Sequence, residues 1–95
     1  MSETVELEVS VASELGLHAR PAGEFVALAG RFQAEVSVAR GKEWVSGRSV
    51  LSLLSLAARR GTRLRIRAEG PDAAEAVDAL RSLLERTDTG GVGGP

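Results

Sequence analysis

Residues 4–11 alternate strictly between apolar and polar side chains, and this alternation limits the possible folds more than any other feature of the chain. The apolar positions are Val5, Leu7, Val9 and Val11. A period of two is typical of a β-strand that buries one face. Residues 63–69 repeat the pattern, with apolar residues on one face and arginines on the other. Because each strand has only one apolar face, we expect a mostly antiparallel sheet that is covered on one side.

Three other segments, residues 19–30, 50–58 and 73–84, place their apolar residues at helical spacing. Residues 33–40 and 43–45 alternate again around a Gly-Lys turn, which predicts a hairpin. The predicted order is strand, helix, strand, strand, helix, strand, helix, which is an α+β fold. A chain of 95 residues suits one such domain, which we place at residues 1–86. The Gly-rich residues 87–95 are expected to form a disordered tail.

Several residues indicate where the predicted helices begin and end. Ser49 precedes an apolar run and is a good N-cap for the second helix. Arg59 and Arg60 are expected to close that helix, because cations are favourable at its negative end. Pro71 and Asp72 are expected in the first turn of the last helix, where a missing N–H does no harm and an acid is favourable.

Charge indicates which strands are neighbours. Glu6 and Glu8 of the first strand are acidic where Arg63, Arg65 and Arg67 of the last strand are basic. Opposite charges across adjacent strands are favourable by about 0.2–1 kcal/mol. We therefore expect these two strands to pair.

Composition excludes several classes of function. The chain has no cysteine, so disulfides and thiolate metal sites are ruled out, and we expect neither a metal nor a cofactor. The net charge is -1, and Trp44 is expected to be a structural residue of the hairpin, so we expect no nucleic-acid partner. No apolar run reaches the roughly 20 residues of a membrane-spanning helix. The first residues do not resemble a secretory signal, so a cytoplasmic protein without membrane insertion is expected.

Residues 16–22, at the start of the first predicted helix, have the features of a phosphate site with its own nucleophile. His18 is the one histidine of the chain, and a largely neutral imidazole is nucleophilic near neutral pH. A helix N-terminus offers unpaired N–H groups and a partial positive charge. Arg20 can grip phosphate oxygens in a forked geometry. From the residues alone, a lone histidine near a helix start is more often a helix cap or an ordinary surface histidine.

The run Gly-Leu-His-Ala-Arg-Pro-Ala at residues 16–22 resembles the phosphorylation-site motif of the HPr family, the histidine-containing phosphocarriers of the bacterial sugar phosphotransferase system. Element order, length and a serine leading the second helix extend the resemblance to residues 4–86. The resemblance implies an open-faced β-sandwich of order βαββαβα. Its four-stranded antiparallel sheet would carry three helices on one face.

The resemblance also implies a function. His18 would accept a phosphoryl group at Nδ1 from phospho-enzyme I, which obtains it from phosphoenolpyruvate, and would pass it to the A domain of an enzyme II. Arg20 would stabilise the phosphate charge, and the backbone amides of Ala19 and Arg20 would donate to it. The protein would then be a monomeric carrier, not an enzyme with turnover of its own.

Ser49 matches the regulatory serine of the family, which implies a serine kinase/phosphorylase and a transcription regulator as further partners. Its simpler role is that of an N-cap. The resemblance places a partner-docking patch at Val50, Leu51 and Leu54, although Val50 and Leu54 could belong to the core. The alternative function is that of a regulatory paralogue, either a nitrogen-type phosphocarrier or a transcriptional co-regulator that is phosphorylated on Ser49. An unrelated enzyme is disfavoured because no second catalytic group and no Gly-rich nucleotide loop accompany His18.

Overall fold

The structure, a computed structural model, describes residues 3–86 of the chain. The elements are β1 (Glu3–Ser10), α1 (Ala19–Ala29), β2 (Glu35–Arg40), β3 (Glu43–Ser46), α2 (Val50–Ser55), β4 (Arg63–Gly70) and α3 (Ala73–Glu85). Their order is the predicted one, and their bounds differ from the prediction mainly at α2. The predicted tail at residues 87–95 lies outside the described residues. Within residues 3–86, no helix has both the length and the apolar character that crossing a bilayer requires.

The four strands form one antiparallel sheet in the order β1-β4-β2-β3. β1 and β4 pair along their whole length, with Glu6 opposite Arg67 and Glu8 opposite Arg65. The carboxylate of Glu6 lies 3.2 Å from the Arg67 guanidinium, and that of Glu8 lies 3.6 Å from Arg63. The pairing of the first and last strands, predicted from charge, is confirmed.

One face of the sheet and all three helices contribute to a single core. Among its largest buried side chains are Phe25 of α1, Leu53 of α2, Ile66 of β4 and Leu80 of α3. Each such side chain stabilises the fold by about 1.5–3 kcal/mol relative to exposure. The predicted architecture, an antiparallel sheet with its helices on one side, is confirmed.

The other face of the sheet is open and polar. Trp44 of β3 lies on this face, beneath the guanidinium groups of Arg65 and Arg67, whose carbon centres are 5.0 and 4.2 Å from the ring centroid. Cation–π contacts at exposed sites contribute about 0.5–1 kcal/mol each. The ring, with Arg65, also covers Ala39, which is fully buried although its strand position faces outward. Trp44 is therefore a structural residue of the hairpin.

The second helix is shorter than predicted. It ends at Ser55 rather than near Ala58, because Ala57 has a left-handed backbone with φ of 51° that cannot continue a helix. The expectation that Arg59 and Arg60 close it was wrong. The last carbonyls are instead satisfied from another element: Nη1 of Arg40, at the end of β2, donates to the oxygens of Leu56 at 2.8 Å and Ala57 at 2.9 Å.

The start of α3 also differs from the prediction. The helix begins at Ala73, so Pro71 and Asp72 precede its first turn, and the acid within that turn is Glu75. The Asp72 carboxylate accepts the backbone N–H groups of Gln33 and Ala34, each at 2.9 Å, and makes no bond to its own helix. The Gln33 N–H, followed by that of Ala34, lowers the pKa of Asp72 from its usual 3.8. Asp72 therefore fastens the β4–α3 turn to the chain that enters β2.

Candidate functional site

His18 stands at the boundary between an extended loop and α1. Its backbone is extended, with φ of -91° and ψ of -172°, and its carbonyl accepts the first helical bond from Ala22 at 3.0 Å. It therefore occupies the N-cap position, yet its side chain makes no capping bond to the helix. The residue is partly exposed, and its Nε2 atom is shielded from solvent. The imidazole is presented at the end of the helix without being used to close it.

The N-terminus of α1 is chemically open. Ala19 and Arg20 precede the first residue whose N–H bonds within the helix, and Pro21 has no N–H to satisfy. The first turn carries no acidic side chain that would neutralise the positive end of the helix. Arg20 is exposed, and within residues 3–86 its guanidinium takes part in no ion pair or hydrogen bond. Backbone donors, the positive helix end and an exposed arginine two residues after His18 thus belong to one helix start, a combination that is suited to binding phosphate.

The loop before His18 is held in one path by close backbone contacts. Gly16 has φ of 74° and donates its N–H to Ser13 O at 2.9 Å, while His18 N–H donates to Gly16 O at 3.0 Å. Leu17 is buried, and its N–H donates to Ala58 O at 2.9 Å. A Cβ on Gly16 would collide with the Ala58 carbonyl. The position therefore needs glycine both for its backbone conformation and for space.

Ser49 begins α2 as predicted. Its backbone is extended, its Oγ accepts the N–H of Ser52 at 3.1 Å, and its carbonyl accepts the N–H of Leu53 at 3.1 Å. The predicted N-cap is confirmed, and the serine is partly exposed. Its hydroxyl already has a structural function, whether or not it is ever modified.

The three residues expected in a docking patch differ in exposure. Leu51 is 80% exposed, whereas Val50 and Leu54 are half-buried and pack against the core. A second exposed leucine, Leu15, lies in the loop just before His18 and is 72% exposed. Leu15 was not predicted, because a loop leucine has no periodicity from which exposure could be inferred.

The sequence also contains no signal for the support behind the loop. Arg40 at the end of β2 and the carbonyls of Leu56, Ala57 and Ala58 are brought together only by the fold. The described residues contain no group of three or more His, Cys, Asp or Glu side chains able to hold a metal ion. The chemistry available at this site is that of an imidazole, an arginine and backbone amides.

Comparison with known proteins agrees with this geometry. The family model described as "PTS HPr component phosphorylation site" matches residues 5–86. The phosphocarrier protein HPr of Pseudomonas aeruginosa is 43% identical over 86 residues, covering 88% of this chain and 96% of the relative. The crystal structure of the phosphocarrier protein HPr from Bacillus anthracis superimposes with a TM-score of 0.82 at 37% identity, covering 85% of this chain and 96% of that one.

Relatives with other names match at similar levels. The phosphocarrier protein NPr of Shewanella violacea is 37% identical, covering 85% of this chain and 89% of the relative. The HPr-like protein Crh of Halalkalibacterium halodurans is 38% identical, covering 86% of this chain and 98% of the relative. A family match over nearly the whole described structure, with the family's fold and its motif at a helix start, leads to one conclusion: the chain belongs to the HPr family of phosphocarrier proteins of the phosphotransferase system.

Proposed function

We propose that this protein is a phosphoryl carrier of the sugar phosphotransferase system, with His18 as the residue that is phosphorylated. The observation that carries this proposal is the N-terminus of α1, where His18 occupies the cap position without capping and no acid stands in the first turn. A helix end left open in this way favours an anion beside the imidazole. Enzyme I, charged from phosphoenolpyruvate, is the donor, and the A domain of an enzyme II is the acceptor.

Transfer occurs at Nδ1. The lone pair of that nitrogen in the neutral ring forms the new N–P bond while the bond between phosphorus and the donor breaks. Shielding of Nε2 from solvent supports this choice of nitrogen. Delivery to the acceptor reverses the step: the acceptor attacks phosphorus, the N–P bond breaks and the neutral imidazole is regenerated. The protein gains and loses one phosphoryl group per cycle and acts as a carrier.

Arg20 and the first amides of α1 stabilise the charge of the transferred group. Arg20 is exposed, so its guanidinium can reach phosphate oxygens without breaking an existing ion pair within residues 3–86. The N–H groups of Ala19 and Arg20 are added donors from the rigid helix end. Because the helix positions these amides before the phosphate arrives, their reorganisation opposes transfer little.

Partners dock beside this site through apolar contacts. Leu51 is the main exposed anchor, and Val50 and Leu54 support it from the edge of the core. Burying an exposed leucine at an interface contributes about 1.5–3 kcal/mol before the costs of association. Enzyme I and the A domains would use this surface in turn, since both must reach His18.

Ser49 is a second modification site in this proposal. Phosphorylation of Oγ would add a dianion at the start of α2, next to Leu51, and would weaken docking of partners that carry acidic groups there. A serine kinase/phosphorylase would control it, and a transcription regulator could bind the modified form. The relatives named NPr and Crh support, as the second candidate function, a regulatory paralogue of nitrogen or transcriptional type.

The proposal is tested by incubating the protein with cognate enzyme I and phosphoenolpyruvate. We expect the intact mass to increase by one phosphoryl group, in an acid-labile form that is absent from His18→Ala and present in Ser49→Ala. Absence of any gain with an enzyme I that phosphorylates another carrier would refute the function. Faster charging by a nitrogen-type enzyme I, or capture of a transcription regulator by Ser49→Asp alone, would favour the regulatory paralogue.

A further inference from the structure

Arg40 holds the chain that follows α2 in place. It is the last residue of β2, and its Nη1 atom donates to Leu56 O at 2.8 Å and to Ala57 O at 2.9 Å. Within residues 3–86 Arg40 forms no ion pair, so these two carbonyls are the partners of its charge. The turn after Arg40 is itself held by Arg65, which donates to Gly41 O. The backbone of Arg40 is therefore held in the sheet, and its guanidinium bonds the chain at the end of α2.

The end of α2 needs this support from outside. Its last turn has no basic residue, and Ala57 has φ of 51°, a region that favours glycine and is costly for alanine. Arg40 donates to the carbonyls of Leu56 and Ala57, which flank the strained backbone of Ala57. A charged donor stabilises this conformation more than a neutral donor would. Arg40 thus holds a conformation that the local sequence does not favour.

The supported segment in turn fixes the approach to His18. Ala58, one residue after the strained position, accepts the N–H of Leu17 at 2.9 Å. Gly16 packs closely on the peptide between Ala58 and Arg59, and a Cβ added to Gly16 would lie 2.9 Å from Arg59 Cα. Leu17 is buried and immediately precedes His18, so a shift of residues 56–58 would move the imidazole relative to α1.

From this series of contacts we infer that Arg40 is a positioning residue for phosphoryl transfer at His18, acting through Leu56, Ala57, Ala58 and Leu17. The inference rests on the proposed function of His18 and adds a residue from β2 to it. Arg40 does not touch the phosphoryl group. It keeps the imidazole in line with the donors at the start of α1, and small errors in such alignment are costly in rate.

The test compares Arg40→Met with Arg63→Met, a matched control that removes an exposed arginine paired with Glu8 on the open face of the sheet. At saturating phospho-enzyme I, we expect the single-turnover rate of His18 phosphorylation to fall about tenfold in Arg40→Met and to stay unchanged in Arg63→Met. The KM for enzyme I should change little, because Arg40 is not placed at the docking leucine. Amide hydrogen exchange of Leu17 should accelerate in Arg40→Met alone.

Rescue variants separate positioning from general damage to the fold. Adding Ala57→Gly to Arg40→Met should restore most of the rate, because glycine adopts the required φ without strain. Arg40→Lys, which keeps a cationic donor, should retain more activity than Arg40→Met and serves if the methionine variant does not fold. Unchanged rate and unchanged Leu17 exchange in Arg40→Met would overturn the inference while leaving the carrier function intact. If the wild type accepts no phosphoryl group, the proposed function fails, and unchanged Leu17 exchange would then remove the structural part of the inference as well.

Discussion

The first turns of α1 and α2 have the same backbone plan and opposite chemistry. Both follow an extended residue, His18 in one case and Ser49 in the other. Ser49 closes its helix with its own hydroxyl, which accepts the N–H of Ser52 at 3.1 Å. His18 makes no such bond, and Pro21, which stands where Ser52 stands in α2, has no N–H to be capped. One helix start is capped by its own serine, and the other has no side-chain cap.

This difference has a cost in stability. An N-cap contributes about 1 kcal/mol, and α1 forgoes it. In the proposed function, the same amides and the same positive end bind the phosphoryl group. Proteins are only marginally stable, and residues that serve binding or catalysis often lower the stability of the fold. Substitutions at one helix start at a time test this difference.

The largest effect is expected at the open end. Arg20→Met should slow transfer to and from His18 by about 100-fold, the loss typical when a charged donor to a developing oxyanion is removed. Rapid-quench measurement of single-turnover phosphorylation checks this. Arg31→Met is the matched control, since Arg31 is exposed just beyond the other end of α1. Equal rates for the two variants would mean that Arg20 does not stabilise the phosphate.

At the closed end, the expected effect is on stability. Ser49→Ala should lower the free energy of unfolding by about 1 kcal/mol and leave the rate of His18 phosphorylation unchanged. Urea denaturation with the same m-value gives the first quantity. Ser82→Ala, an exposed serine within α3, is the matched control and should show no loss. If Ser49→Ala lowered the phosphorylation rate of His18 without changing stability, the structural role assigned to Ser49 would be wrong.

Giving α1 the missing cap should recover stability and abolish function. We expect His18→Ser to be more stable than His18→Ala by about 0.5–1 kcal/mol, because a hydroxyl at an extended cap residue can accept the N–H of Arg20, although Pro21 offers none. Neither variant should accept a phosphoryl group at residue 18. Thermal and urea denaturation of the two proteins side by side make the measurement. Identical stabilities would show that the loop before α1 does not allow capping.

The smallest effect is expected at the third helix start and only in acid. The pKa of Asp72 is lowered by the Gln33 and Ala34 N–H groups, so its contribution to stability is present above the usual value of 3.8 and is lost as the pH falls below it. The wild type should therefore lose stability on acidification more steeply than Asp72→Asn. Urea denaturation at neutral pH and at pH below 3.8 checks this. Parallel loss in both proteins would contradict the effect.

Local pattern was enough to predict most of the fold. Each strand has one apolar face and each helix one apolar stripe, so the order of elements followed from periodicity, and the charge rows of β1 and β4 predicted their pairing. The failures occurred where distant residues decide the outcome. The carbonyls that follow α2 are bonded by Arg40, 16 residues before Leu56, and the Asp72 carboxylate is bonded by backbone groups 38 and 39 residues away. No local pattern encodes such contacts.

The candidate site divides in the same way. A short motif marked His18 and Arg20, and the structure places both at an open helix end. Their roles in transfer, like that of Ser49 in regulation, remain predictions for the experiments above. Helix periodicity already placed Val50 and Leu54 among the possible core residues and Leu51 outside them, which agrees with their exposure, but periodicity does not encode which apolar residues bind a partner.

The position of Trp44 has a practical consequence. It is the one tryptophan of the chain, and it lies under Arg65 and Arg67 on the face of the sheet that the helices leave uncovered. Its fluorescence will report the loss of this packing when the sheet unfolds. Because the ring is on the opposite side of the sheet from α1, the signal should be insensitive to the modification state of His18. The protein thus carries an intrinsic optical probe with which stability can be measured separately from phosphorylation, in the same cuvette.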